Sequence, residues 1–256
     1  MPSIPVKINL SKSFYLMAFL TGSSQFLPIF VVLVASSNLA HGVLYNVDFN
    51  GNSFGSPNAT FSGAAVVGAS GDFWNGVDGT PAVLALVPAI SGSPTITMTP
   101  SLPAGSGTYA ENSASPFFGT TFADLMGAHI YLFNPTAAPI FTFSGFEPST
   151  PFSLTIYTVG DPDTGKGGTF STNGGAPQSN VITTANTFTN NSNYVVLSGT
   201  TTGAGEVVLS GNLSSGNEYL INGFQLDGTP VPEPTASLLG ALALGVGLSV
   251  RRRTVR

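Results

Sequence analysis

The stretch VLYNVDF at residues 43–49 alternates apolar and polar side chains with a period of two. One face is apolar and consists of Val43, Tyr45, Val47 and Phe49, and the other carries Asn46 and Asp48. Because successive side chains of a β-strand point to opposite faces of its sheet, this stretch predicts a strand with one face in an apolar core.

Short apolar runs recur along the chain, separated by segments rich in Gly, Pro, Ser, Thr and Asn. Further strands are predicted at 60–67, 82–87, 95–99, 128–133, 140–146, 152–159, 194–198, 205–209 and 218–226. No segment among them has a sustained helical period, and residues 121–126 predict one or two helical turns. Many short strands between turn signals predict an all-β protein, an antiparallel β-sandwich of jelly-roll type.

Residues 41–230, called here the passenger domain, are enough for one domain with its own core. The chain has no Cys, which excludes thiolate metal sites and Cys nucleophiles. A domain of this size can be stable without disulfides.

The passenger domain is strongly acidic. Between His41 and Pro234 the chain has a single base, Lys166, against twelve acidic residues, a formal charge of −11. A surface of this sign repels nucleic-acid phosphates and anionic lipid headgroups. We therefore expect no nucleic-acid partner.

The first 40 residues have the layout of a secretory signal peptide, which implies a signal helix and export through the Sec machinery. Lys7 and Lys12 precede apolar stretches at 14–20 and 26–35, and small and polar residues follow up to Ala40. Cleavage is predicted after Ala40, with Ser37 as the second choice. A retained membrane anchor is the alternative, although Gly22 and Pro28 interrupt any single long span.

The C-terminal tail, residues 231–256, has three parts in a fixed order. The first is Pro232, Glu233 and Pro234. An uncharged apolar run at 236–250 follows, and the chain then continues with Arg251, Arg252 and Arg253. This layout closely resembles the tripartite PEP-CTERM sorting signal of bacterial exported proteins.

The resemblance implies recognition of the tail by an exosortase-type membrane protease, with Pro232, Glu233 and Pro234 as the recognition residues. It implies a transmembrane helix at 235–250 and a basic tail at 251–256, in which Arg251, Arg252 and Arg253 stop transfer. The precursor would be anchored in the cell-envelope membrane and the processed protein would reach the cell surface or the extracellular space. An uncut C-terminal anchor is the alternative.

The passenger domain also resembles, more weakly, the galactose-binding-like β-sandwich domains of many exported PEP-CTERM proteins. The segments that carry the resemblance are VDFN at 47–50, FSGAA at 61–65, FWNG at 73–76, FTFSGF at 141–146, FSLTIY at 152–157 and YLINGFQL at 219–226. The resemblance concerns the fold, because one fold serves many functions.

Catalytic candidates are few. Apart from His41, the only His is His129, so a Ser-His-Asp arrangement would have to use it. Paired carboxylates could hydrolyse glycosides, with Asp72 and Asp78 or Glu111 and Asp124 as the candidate pairs. In so acidic a chain, solvated loop carboxylates are the simpler interpretation.

Two ligand sites are conceivable from local sequence. Asp161 and Asp163, two residues apart and followed by Gly165, suit a Ca²⁺ loop, but they lack the third ligand and distal Glu of an EF-hand, and a polar turn is the simpler interpretation. Trp74 is the only Trp and could stack on a sugar ring, although a lone Trp is more often a core or rim residue.

These features predict an exported cell-surface or extracellular-matrix protein with no catalytic activity and no cofactor of its own. The alternative is a carbohydrate-binding module of the cell envelope, with polysaccharide as the partner.

Overall fold

The computed structural model describes residues 42–51, 59–90, 92, 94–110, 112–133, 138–159, 165–173 and 175–232. Several predicted features lie outside the described residues: the signal peptide at 1–40, Glu233 and Pro234, the transmembrane helix predicted at 235–250, and Arg251, Arg252 and Arg253. Asp161, Asp163 and Glu111 also lie outside them.

The described chain is mostly β-strand, with one short α-helix, α1, at Ala123–Met126 and a 3₁₀ turn at Asn112–Ala114. The strands are, in chain order, β1 Val43–Asn50, β2 Asn75–Asp78, β3 Leu84–Leu86, β4 Ile96–Pro100, β5 Gly107–Ala110, β6 Ala128–Leu132, β7 Ala138–Ser144, β8 Pro151–Tyr157, β9 Gly167–Thr172, β10 Gln178–Ser179, β11 Tyr194–Thr200, β12 Glu206–Ser215, β13 Tyr219–Ile221 and β14 Gly223–Gly228.

These strands form three sheets. Sheet A has the order β11-β8-β14-β1-β2, sheet B the order β10-β9-β12-β7-β4-β3, and sheet C the order β13-β6-β5. Every pairing is antiparallel except that of β1 with β2, which is parallel. The predicted all-β, antiparallel architecture is confirmed, with this one pair as the exception.

Sheets A and B share an apolar core at whose centre lies Phe224 of β14. Its ring centroid is 5.3 Å from Phe49 of β1, 5.0 Å from Phe141 and 5.6 Å from Phe143, the last two on β7 of sheet B. Edge-to-face aromatic packing of this kind adds to the stabilisation that burial provides. Tyr45, Val47 and Phe49, which the alternation assigned to the core, are buried in it.

Asn222 marks the corner where the chain leaves sheet C and enters sheet A. Its side chain is fully buried, with Oδ1 accepting from Val159 N at 2.6 Å and Nδ2 donating to Ala128 O at 2.6 Å. Its backbone N–H donates to Tyr157 O at 2.8 Å. Because each of these buried groups has a partner, the corner avoids the cost of unpaired polar atoms.

Two strand predictions are wrong in detail. Residues 60–67 form no strand but an irregular segment, and the single strand predicted at 218–226 is divided by Asn222 into β13 and β14. The sequence does not predict strands β2, β5, β9 and β10, because Gly and polar residues in them leave too few apolar residues to show an alternating pattern. The short helix predicted within 121–126 is present as α1.

No helix among the described residues has the length and apolar character that crossing a membrane requires.

Phe224→Ala should destabilise the fold by about 3–5 kcal/mol, because it opens a cavity between the two sheets. Urea unfolding of the full-length chain measures the loss, with Val196→Ala on the exposed side of β11 as the control. A loss of less than about 1 kcal/mol for Phe224→Ala would contradict the central place of this ring.

Candidate functional site

The outer face of sheet A, which points away from sheet B, is polar and yet largely covered. The strand registers place on this face Asn46, Asp48 and Asn50 of β1, Gln225 and Asp227 of β14, Ser153, Thr155 and Tyr157 of β8, and Asp78 of β2. Most of these side chains are buried. Something other than sheet B must therefore cover them and satisfy their hydrogen bonds.

The irregular segment 59–74 supplies much of this cover. Asn46 Nδ2 donates to Phe73 O at 3.0 Å, and Gln225 Nε2 donates to Val67 O at 3.2 Å. Gln225 Nε2 also donates to Asn46 Oδ1 at 2.9 Å, which links the two side chains. Side chains of the sheet thus make hydrogen bonds to the backbone of the segment that a neighbouring strand would otherwise make.

Tyr157 joins the same network from β8. Its hydroxyl donates to Gln225 Oε1 and accepts from Val66 N, the latter at 2.9 Å. Burial raises the pKa of Tyr157 above its ordinary value, so the hydroxyl stays protonated and able to donate at neutral pH.

Trp74, the last residue of segment 59–74, lies in a second apolar cluster. Its side chain is 1% exposed, its ring centroid is 5.2 Å from that of Phe61, and Nε1 donates to Gly63 O at 2.8 Å. A ring buried in this way presents no face to solvent, so the sugar platform suggested for Trp74 does not exist in this conformation. The core interpretation of a lone Trp fits its position.

Three polar side chains meet at one end of β1 and β2, and we call them the acidic corner: Asp48, Asn50 and Asp78. Asn50 Nδ2 donates to Asp78 Oδ1 at 3.2 Å and to Thr60 Oγ1 at 2.8 Å. Asp48 Oδ2 accepts from Phe61 N at 2.7 Å. The carboxyl of Asp48 is fully buried, and its Oδ1 has no hydrogen-bond partner.

The environment of Asp48 disfavours a negative charge. Burial raises its pKa to about 8, and the nearby carboxylates of Asp124 and Asp78 add to the shift, against the opposing hydrogen bond from Phe61 N. A strongly shifted carboxyl with a specific set of partners is typical of functional sites. This position is the main site residue that sequence reasoning missed, because Asp48 was assigned to a polar strand face without a role.

Two adjoining clefts open beside Leu44, at the other end of the outer face. One, of about 210 Å³, is lined by Ser153, Thr155, Gln225 and Asp227 among others. The second, of about 370 Å³, has a more apolar lining that includes Ala89, Ile90 and Asp72. Their combination of hydroxyl, amide and carboxylate groups with apolar wall is suited to a small polar ligand.

His129, Asp72 and Asp78 occupy separate places. His129 is buried on β6, with its ring 5.9 Å from that of Tyr109. Asp72 closes the turn at 69–72, where its Oδ2 accepts from Ala69 N at 2.9 Å, whereas Asp78 is bonded to Asn50 at the end of β2. Asp124 is exposed on α1.

Among the described residues no three His, Cys, Asp or Glu side chains come together as a metal site. Comparison of the chain with protein-family models, curated proteins and solved structures finds no match. The functional argument therefore depends on the residues themselves.

In metal-free buffer the free energy of unfolding should fall as the pH rises from about 4 to about 8. Folded Asp48 keeps its proton up to a pKa of about 8, whereas the unfolded side chain ionises near 3.8, so ionisation favours the unfolded chain between these values. Urea midpoints across this range measure the slope. Asp48→Asn, which keeps an acceptor for Phe61 N, should remove this component, and an unchanged slope in the variant would contradict the assignment.

Proposed function

We propose that this chain is an exported, non-catalytic protein of the cell surface or extracellular matrix, sorted through a PEP-CTERM-type tail that an exosortase-type membrane protease recognises and cuts. The observation that carries the proposal is the ordered tail: Pro232, Glu233 and Pro234, then an uncharged apolar run, then Arg251, Arg252 and Arg253. An N-terminal segment with the layout of a signal peptide supports it.

Each part of the tail has a physical reason. Pro232 and Pro234 have a fixed φ and no backbone N–H, so the motif stays extended and outside any sheet. About 15 apolar residues make ~22 Å of helix, somewhat short of the ~20 residues usual for a span, and neighbouring side chains offset part of the mismatch. Three Arg residues hold their end on the cytoplasmic side, which leaves Glu233 outside.

The end of the passenger domain supports an accessible motif. β14 ends at Gly228, Pro230 still bridges to Phe146, and Val231 N donates to Gly145 O at 2.9 Å. Val231 is already 47% exposed, and Pro232 is exposed. The backbone pairing of the passenger domain thus extends to Val231, and the next residue, Pro232, is exposed. A protease needs its recognition residues to be accessible in this way.

The finer fold assignment is part of the same proposal: the passenger domain is a jelly-roll-like β-sandwich of galactose-binding-like type. Two observations support it: sheets A and B share one apolar core, and the strands within each sheet pair antiparallel except β1 with β2. Such a domain displays loops and clefts on a rigid frame, which is suited to a binding or structural role at a surface.

Intact mass of the protein isolated from its native envelope tests the sorting proposal. The mature mass should lack the signal peptide and the tail from about Thr235 onward. Glu233→Gln, which removes the charge of the motif with little change in shape, should raise the uncut fraction, whereas Glu206→Gln on β12 should not. A wild-type mass that still includes residues 235–256 would refute processing.

A carbohydrate-binding role is the second candidate, favoured by the cleft of about 210 Å³ with its hydroxyl, amide and carboxylate lining. Asp227 is exposed there and Ser153 lies opposite it on β8. On a glycan array, Asp227→Ala should abolish any binding that the wild type shows, while Glu206→Gln should keep it. Binding that survives Asp227→Ala would exclude this cleft.

A further inference from the structure

The acidic corner holds two buried oxygen atoms without hydrogen-bond partners, Asp48 Oδ1 and Asn50 Oδ1. Both residues are almost completely buried, at 0% and 2% exposure. An unsatisfied buried acceptor costs about 1–3 kcal/mol, and more when it is charged. Other buried side-chain atoms of the described residues also lack a partner, Thr172 Oγ1 and Tyr219 Oη among them, but Asp48 and Asn50 place two carbonyl-type acceptors on neighbouring positions of one strand face.

Glycines flank Asp48 on both sides in the register of sheet A. Asp48 lies opposite Gly76 of β2 on one side and Gly223 of β14 on the other, so neither neighbouring strand places a side chain next to its carboxyl. Position 76 has no space for a side chain, because a Cβ built there would lie 2.2 Å from Thr60 Oγ1 and 3.0 Å from Asn50 Nδ2. Side chains from outside the sheet therefore lie beside these glycines, Thr60 next to Gly76 and Leu125 of α1 next to Gly223.

The charge at the corner is not balanced by a basic side chain of the passenger domain. Asp78 Oδ1 accepts from Asn50 Nδ2 at 3.2 Å, and Asp48 lies two residues before Asn50 on the same face of β1. The one base between His41 and Pro234 is Lys166, and its Nζ lies 2.5 Å from Glu218 Oε1. Carboxylates that converge without a basic partner are stabilised when a cation binds between them.

We propose that the acidic corner is a calcium site, with Asp48 Oδ1, Asn50 Oδ1 and the carboxylate of Asp78 as ligands and water in the remaining positions. The assignment is independent of the sorting proposal, because it depends only on the packing of β1, β2 and residues 60–61. Two carboxylates and an amide provide the donors, and Asp124 contributes negative charge without being a ligand.

The chemistry of the donors favours Ca²⁺ over other divalent ions. All are hard oxygens, with no imidazole among them and no thiolate in the chain, so Zn²⁺ has no preferred ligand. Mg²⁺ requires a near-ideal octahedron and gives up its water reluctantly, whereas Ca²⁺ takes six to eight oxygens in flexible geometry. Two buried protein oxygens and an exposed carboxylate, with water in the remaining positions, fit the second ion.

Calorimetric titration of the EDTA-treated full-length chain in detergent, with CaCl₂ and separately with MgCl₂, tests the proposal. Ca²⁺ should bind with a dissociation constant in the low millimolar range or below, as it does in extracellular calcium modules. CaCl₂ should also raise the melting temperature more than MgCl₂ does. Absence of calcium binding by the wild type would overturn the proposal.

Variants locate the site. Asp48→Asn and Asp78→Asn should each weaken calcium binding by about tenfold or more, since even the loss of an outer partner of a metal ligand costs this much. Asp48→Asn should also melt at or above the wild-type temperature without calcium, because the buried amide is neutral at every pH and needs no proton. Asp78 is exposed, so its variant remains informative if the first one fails to fold.

The matched control is the double variant Asp161→Asn and Asp163→Asn, which removes the same kind of charge from the other candidate calcium segment. It should bind calcium as the wild type does. Calcium binding that is lost in this variant and kept in Asp48→Asn and Asp78→Asn would assign the ion to residues 161–163 and refute the acidic corner.

Discussion

The outer face of sheet A is the constraint on which the rest of the structure depends, because it is polar and buried at the same time. A half-buried sheet normally turns its polar face to water, where hydration satisfies the side chains. Here Asn46, Gln225 and Tyr157 are covered, so every one of their polar groups needs a partner within the protein. The irregular segment 59–74 supplies these partners through its backbone. The same hydrogen bonds fix the position of the segment, although it forms no strand.

This exchange also explains the second apolar cluster. Trp74 and Phe61 belong to the covering segment, and Tyr157 comes from the sheet, so the same residues that close the hydrogen bonds also bury apolar surface. Polar pairing fixes where the segment lies, because hydrogen bonds are directional, and apolar burial provides most of the stabilisation. The central part of sheet A is consequently covered on both faces, with sheet B on one side and irregular chain on the other, whereas Val196 and Asp227 of the outer face are exposed.

The acidic corner departs from this arrangement. Where Gln225 has partners at both ends of its amide, Asp48 and Asn50 each keep an oxygen unpaired. The departure occurs at the edge of the sheet, where the one parallel strand pair brings Asp78 beside Asn50. A functional site is the common reason for a protein to retain an unfavourable buried group, and the corner and the Leu44 clefts lie at opposite ends of the same face.

The sequence by itself determined the all-β class and the alternation of β1, because the period of side-chain burial is written directly in the order of residues. It also contains the tail motif, whose three parts are contiguous. Tertiary structure alone decided that Asn46 and Asp48 are buried, that β9 and β10 are strands despite few apolar residues, and that Asn222 divides a continuous apolar run. Asp48, Asn50 and Asp78 belong to one site for the same reason: the parallel pairing of β1 and β2 joins residues far apart in the chain, and no local pattern records such a contact.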